Sequence, residues 1–122
     1  MKYKIILASA SKRRSKLLKE CGILHRVVIS NVHEKMSHKR GARFNVLYNA
    51  RRKAEKIADR YKEGFIIGAD TVVSIGKRLI GKPKTKKEAR SLLNAFSGKT
   101  ILVYTGVYII DAKRGKAVSA VD

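Results

Sequence analysis

Apolar positions in this chain fall into short unbroken runs separated by helical stripes. The run over residues 3–8, ending Ile5-Ile6-Leu7-Ala8, predicts a first strand. Ser11 then reads as the N-cap of a helix over residues 12–21, with Leu17, Leu18 and Cys21 on its apolar stripe and Gly22 as its stop. Residues 27–29 predict a second strand, buried on the strength of its unbroken apolar run, and the polar stretch 30–41 predicts a loop. Phe44, Leu47, Ala50, Ala54, Ile57, Ala58 and Tyr61 recur at a helical period, so a long helix is expected, ending at Gly64.

Beyond Gly64 the period changes. Residues 65–69 and 71–75 read as a strand interrupted by Asp70, and Gly76-Lys77-Arg78 as a tight turn into Leu79-Ile80. Thr85 and Glu88 form a capping box for a helix whose Ala89, Leu92, Leu93 and Phe96 are expected to face inward, with Ser97-Gly98 ending it. Strands are predicted over 101–110 and 117–121, around a turn at 113–115. Strands separated by helices, with some hairpins, predict an α/β domain with a mixed twisted sheet flanked by helices, occupying residues 1–122.

Composition narrows this picture less than charge does. With 44% apolar residues and one proline the chain reads as globular, but 29 basic residues against 9 acidic ones leave a net charge of +20. Such a field draws in nucleic acid, anionic membrane and small anions alike, so it does not choose among them, and a merely solvated basic surface gives the same composition. The lone Cys21 excludes an internal disulfide framework and reads as a small buried hydrophobe, and no Cys/His spacing suits zinc. The first apolar run is too short for a signal sequence and no stretch approaches a membrane span, so a reducing cytoplasm is the expected location, with no membrane partner.

Candidate chemistry begins where the first strand meets the first helix. Ser9, Arg13 and Arg14 bring a hydroxyl and guanidinium forks to a helix N-terminus, a setting suited to phosphate. Arginine opposes the helix dipole there, and a bound anion would reverse that penalty; two ordinary surface arginines are the other reading. Asp70 lies between apolar strand segments, where a carboxylate must be paired, metal-bound or catalytic, or else sit as a structural residue at a bulge beside Gly68. Lys82, in the rigid Gly81-Lys82-Pro83 turn, and Lys53, on the long helix, suit phosphate but are two among many basic residues. Glu34 is a rare acidic group in a basic loop and a candidate metal ligand, whereas His25, His33 and His38 show no triad or ligand spacing and read as surface or loop residues.

Six blocks, in order, resemble the motifs of the Maf family. They are Leu7-Ala8-Ser9-Ala10-Ser11-Lys12-Arg13-Arg14, Asn31-Val32-His33-Glu34, Ala50-Arg51-Arg52-Lys53-Ala54, Ile67-Gly68-Ala69-Asp70-Thr71-Val72-Val73, Gly81-Lys82-Pro83, and Ser97-Gly98-Lys99-Thr100 followed by Val103-Tyr104-Thr105-Gly106-Val107. The resemblance implies a fold related to inosine-triphosphate pyrophosphatases. It also implies a cytoplasmic house-cleaning enzyme that splits nucleoside triphosphates into monophosphate and pyrophosphate with a divalent metal, Mg²⁺ or Mn²⁺. Some members are linked to arrest of septum formation. Carried over by position, it assigns Ser9, Arg13, Arg14, Lys53 and Lys82 to the triphosphate, Glu34 and Asp70 to the metal, and Asp70 to activation of water. Gly68-Ala69-Asp70-Thr71 resembles the branch acting on dTTP and UTP, with Ala69 and Thr71 as the distinguishing positions.

Two departures from the family pattern carry expectations of their own. Lys12 stands where proline is usual, which loosens the turn without removing a ligand. The chain also ends before the family's C-terminal portion, which holds further strands, an Asp-Lys-Ala-Gly-Ala-Tyr-Gly-type loop and a glutamine that help close the nucleotide site. A sheet cut short in this way exposes an edge that favours pairing into a homodimer. The rival expectation is an inactive, truncated domain that binds nucleotides or nucleic acid through its basic surface.

Overall fold

The structure, a computed structural model, describes residues 4–81 and 84–122. Nine elements follow one another: β1 (Ile5–Leu7), α1 (Lys12–Glu20), β2 (Arg26–Val27), α2 (Gly41–Ala58), β3 (Phe65–Ile75), β4 (Arg78–Ile80), α3 (Lys86–Phe96), β5 (Ile101–Asp111) and β6 (Lys116–Val121). The strands form one sheet in the order β2-β1-β3-β5-β6, with β4 paired to the far end of β3. β1 runs parallel to both β2 and β3, and the remaining pairings are antiparallel, so the mixed α/β sheet predicted from sequence is the one observed.

β3 and β5 form the frame, paired residue for residue from Phe65↔Asp111 to Ile75↔Ile101. The two-residue turn Gly76-Lys77 joins β3 to β4, and Gly76 adopts φ 58°, a left-handed conformation that glycine enters freely. α2 lies across β3, β5 and β6 and buries Val46, Ala50, Ala54 and Ile57 against Ile6, Ile66 and Val72. That stripe differs from the predicted one. Phe44 is on the solvent side, stacked on Tyr48, and the helix ends at Ala58, leaving Tyr61 to pack on the core from the following turn.

The other helices begin as predicted and pack differently. Ser11 caps α1 by accepting the Arg14 N–H at 3.3 Å, and Thr85 caps α3 by accepting the Glu88 N–H at 3.1 Å. Neither helix has a buried residue: Leu17 is more than half exposed, Leu93 is 67% exposed, and Cys21 is exposed, contrary to the expected inward faces. An apolar stripe states which face can be buried; burial needs an opposing layer, and among the described residues only α2 has one along its length. β2 is likewise an exposed edge strand of two residues, not the buried strand expected, because it borders β1 on one side alone. His25 lies in the loop between α1 and β2, as its surface-or-loop reading allowed, and is half-buried there, with Nε2 2.7 Å from Ser15 Oγ and Nδ1 3.0 Å from the Ile23 carbonyl.

Candidate active site

Two glycines bring the polar residues of α2 down onto the sheet. A Cβ on Gly68 would run into the Ala50 carbonyl, and one on Gly106 would lie 2.7 Å from the Val46 carbonyl. With no side chain at either position the helix backbone rests directly on β3 and β5. Asp70 pairs with Gly106 in an unbroken ladder, so the bulge considered for it does not form. The carboxylate therefore points up beside α2, where Asn49 and Lys53 are waiting one helical turn apart.

Asp70 is only 6% exposed and is held from both sides. Asn49 Nδ2 donates to its Oδ2 at 3.1 Å, and Lys53 Nζ stands 3.6 Å from its Oδ1. Lys53, itself buried, also donates to Glu34 Oε1 at 2.6 Å and to the Ala69 carbonyl at 3.1 Å. Burial pushes the Asp70 carboxyl above its ordinary range; the Lys53 charge opposes this, Glu34 adds to it, and the hydrogen bonds from Asn49 and the Thr71 backbone pull it down again.

The junction of β1 and α1 supplies the second half. Ser9 is buried at the end of the strand, and its Oγ accepts the Ser11 N–H at 3.1 Å and an Arg14 Nη1 hydrogen at 3.4 Å. Arg14 also donates from Nη1 to the Ala69 carbonyl at 3.3 Å and from Nη2 to Thr71 Oγ1 at 3.0 Å. Thr71 Oγ1 in turn lies 3.1 Å from Thr105 Oγ1. The Ala69 carbonyl thus accepts from both cations, which brings Arg14 and Lys53 together at the residue preceding Asp70.

Of these groups, Glu34, Asn49, Asp70 and Thr71 line a cleft of about 760 Å³, a size suited to a nucleotide, which His33, Met36, Asn45 and Lys84 also line. Of the residues singled out from sequence, Ser9, Arg14, Glu34, Lys53, Asp70 and Thr71 are connected through these hydrogen bonds and ion pairs. Arg13 is exposed on α1, and its side chain makes no hydrogen bond or ion pair among the described residues. Lys82 lies outside the described residues. No group of three or more His, Cys, Asp or Glu side chains converges among the described residues. Glu34 and Asp70 nevertheless fit a hard divalent cation that completes its shell with water and phosphate oxygens, since such ions need only one or two carboxylates from the protein.

Sequence reasoning missed Asn45, Asn49 and Thr105. The signal was present: Asn45, Asn49 and Lys53 recur every fourth residue, a polar row alongside the apolar one, and all three are buried.

The Maf-like protein family matches this chain over residues 4–122. The chain belongs to the Maf family. Among curated relatives, a dTTP/UTP pyrophosphatase of Dictyoglomus thermophilum is 40% identical over 122 residues, covering 99% of this chain and 63% of that protein. One from Desulforamulus reducens is 41% identical over 114 residues, covering 93% of this chain and 60% of that protein. One from Bacillus anthracis is 41% identical over 107 residues, covering 88% and 56%. This Maf-family chain therefore spans roughly three fifths of the length of these relatives.

Solved structures give the same fold at low identity. A Mycobacterium abscessus nucleoside-triphosphatase / dITP/XTP pyrophosphatase superposes with a TM-score of 0.55 at 12% identity, over 98% of this chain and 70% of that one. The Staphylococcus aureus Ham1 protein gives 0.62 at 16% identity, over 97% and 68%. The fold is thus shared with these structures, as the sequence resemblance implied. Among the described residues no helix is long and apolar enough to cross a membrane.

Proposed function

We propose that this Maf-family chain is a nucleoside triphosphate pyrophosphatase that cleaves dTTP and UTP to the monophosphate and pyrophosphate. The observation that carries the reading is the setting of Asp70: a buried carboxylate at a nucleotide-sized cleft, fixed between Asn49 and Lys53 and neighboured by Arg14. The names of the relatives support the substrate pair, as does the Gly68-Ala69-Asp70-Thr71 sequence.

In this reading the chain's residues divide the work. Ser9, Arg13, Arg14, Lys53 and Lys82 receive the triphosphate, and the guanidinium of Arg14 is already oriented by Ser9, Ala69 and Thr71. Asp70 orients a water and takes its proton, a task favoured by the raised proton affinity that burial gives it. The water oxygen bonds to phosphorus at the α–β anhydride as the bridging P–O bond breaks, and pyrophosphate leaves with the electron pair of that bond. Glu34 and Asp70 would hold Mg²⁺ or Mn²⁺, which when bound offsets phosphate charge. The cytoplasm, which holds the nucleotide pool and keeps an exposed thiol such as Cys21 reduced, is the compartment assigned here.

Pyrophosphate release from dTTP and UTP by the purified chain, with Mg²⁺ or Mn²⁺, tests this. Asp70→Asn is expected to lower kcat by about 10²–10⁴-fold, the range for removing a general base. A wild-type chain that released none from any nucleotide, or an Asp70→Asn variant as fast as wild type, would sink the proposal.

A further inference from the structure

The segment carrying Glu34 has no place in the sheet, yet several of its backbone polar groups are partnered by side chains of α2. Between β2 and α2, Lys35 and Ser37 are each gripped by one asparagine of α2. Asn45 Oδ1 accepts the Ser37 N–H at 2.7 Å while its Nδ2 donates to the Ser37 carbonyl at 2.8 Å. Asn49 repeats the pattern on Lys35, with Oδ1 accepting the N–H at 3.1 Å and Nδ2 donating to the carbonyl at 2.8 Å. Arg52 then donates to the His33 carbonyl, and Lys53 takes Glu34 Oε1.

The spacing has a simple origin. Four residues of α-helix rise about 6 Å, and two residues of extended chain advance roughly 6.6 Å. A row of side chains at every fourth helical position therefore keeps step with every second residue of an extended segment. The asparagine carboxamide, with an acceptor and a donor side by side, replaces a strand's backbone at each step.

Asn49 differs from Asn45 in one respect. Its second Nδ2 hydrogen goes to Asp70 Oδ2, whereas that of Asn45 goes to the Gly41 carbonyl within its own helix. One buried carboxamide thus touches both the segment that delivers Glu34 and the carboxylate of Asp70. We propose that Asn49 is a positioning residue that couples the 33–37 segment to Asp70, so that Glu34 and Asp70 are set relative to one another through a single side chain. This rests on the pyrophosphatase reading for its kinetic consequence and on geometry alone for the coupling.

The test compares Asn49→Ala with Asn45→Ala, which loosens the same segment without touching Asp70, after thermal melts establish that both fold. Hydrogen exchange over residues 33–37 is expected to quicken in both. Asn49→Ala is expected to lower kcat by ~10–100-fold, the usual effect of removing a partner that orients a site carboxylate, with KM little changed, and by clearly more than Asn45→Ala does. Asn49→Asp, near in size and unable to donate to Asp70, should lose kcat likewise and replaces the alanine variant if that one does not fold. Equal kcat losses in the Asn45 and Asn49 variants, or none in the latter, would overturn the assignment. A second arm needs no activity: Asp70→Ala removes the distant partner of Asn49 and should quicken exchange at Lys35. Unchanged exchange there overturns the coupling even in an active enzyme, whereas quickened exchange in a chain without pyrophosphatase activity leaves the coupling standing and removes the functional reading.

Discussion

Asp70 is costly to keep charged where it stands. Its folded-state proton affinity is raised, chiefly by burial, above the ordinary carboxyl value of 3.8. Between that value and the raised one the folded state binds the proton more tightly than the unfolded chain does. Stability contributed at this position therefore falls as pH rises through the window, and the deficit persists at neutral pH. Asp70→Asn, which cannot ionise, should accordingly raise the thermal midpoint at neutral pH while lowering activity; a gain on the order of a few degrees is expected. Lys53 keeps the Glu34 carboxylate and the Ala69 carbonyl as partners in that variant. Repeating the melts at falling pH should shrink the gain as the wild-type carboxylate takes up its proton. A lower midpoint for Asp70→Asn at neutral pH would show that the Lys53 and Asn49 contacts outweigh the desolvation.

At the level of elements, the seating of α2 on the sheet decides whether a site exists at all. Gly106 is where this can be probed, since a Cβ there would lie 2.7 Å from the Val46 backbone and 2.9 Å from its Cβ. Gly106→Ala should lift the helix, destabilise the fold by about 1–3 kcal/mol and lower activity, because Asn49 and Lys53 move away from Asp70. An unchanged urea midpoint would contradict this account of the packing. The same helix shows what sequence could and could not reveal. Asp70 was legible because an acidic residue inside an apolar strand is conspicuous, and Ser9 and Arg14 because a strand running into a capped helix places them. The asparagines left only their every-fourth-residue spacing as a trace, since a polar residue in a helix normally faces water and the return of the 33–37 segment is what buries these. Leu17 and Leu93 misled for the opposite reason: their periodicity marked an apolar face, and no described layer covers it.

Across the whole molecule, the net charge of +20 acts on any polyanionic substrate before contact is made. Nucleoside triphosphate capture should therefore weaken with ionic strength. Raising NaCl from about 50 mM to about 500 mM, which shortens the Debye length severalfold, should reduce kcat/KM for dTTP by raising KM while leaving kcat nearly constant. A salt-independent KM would mean that the basic excess lies where the substrate never passes. Charge and scaffold are separable in another sense, which follows from how the 33–37 segment is held. Its attachment runs through the carboxamides of Asn45 and Asn49 to main-chain atoms, which every amino acid but proline supplies in full, while His33, Lys35 and Met36 line the cleft. Mutations at those lining positions can accumulate without breaking a strand pairing or loosening the tether. On the pyrophosphatase reading, the preference for one nucleotide over another can therefore be rewritten on this segment over evolutionary time while the residues around Asp70 are inherited unchanged.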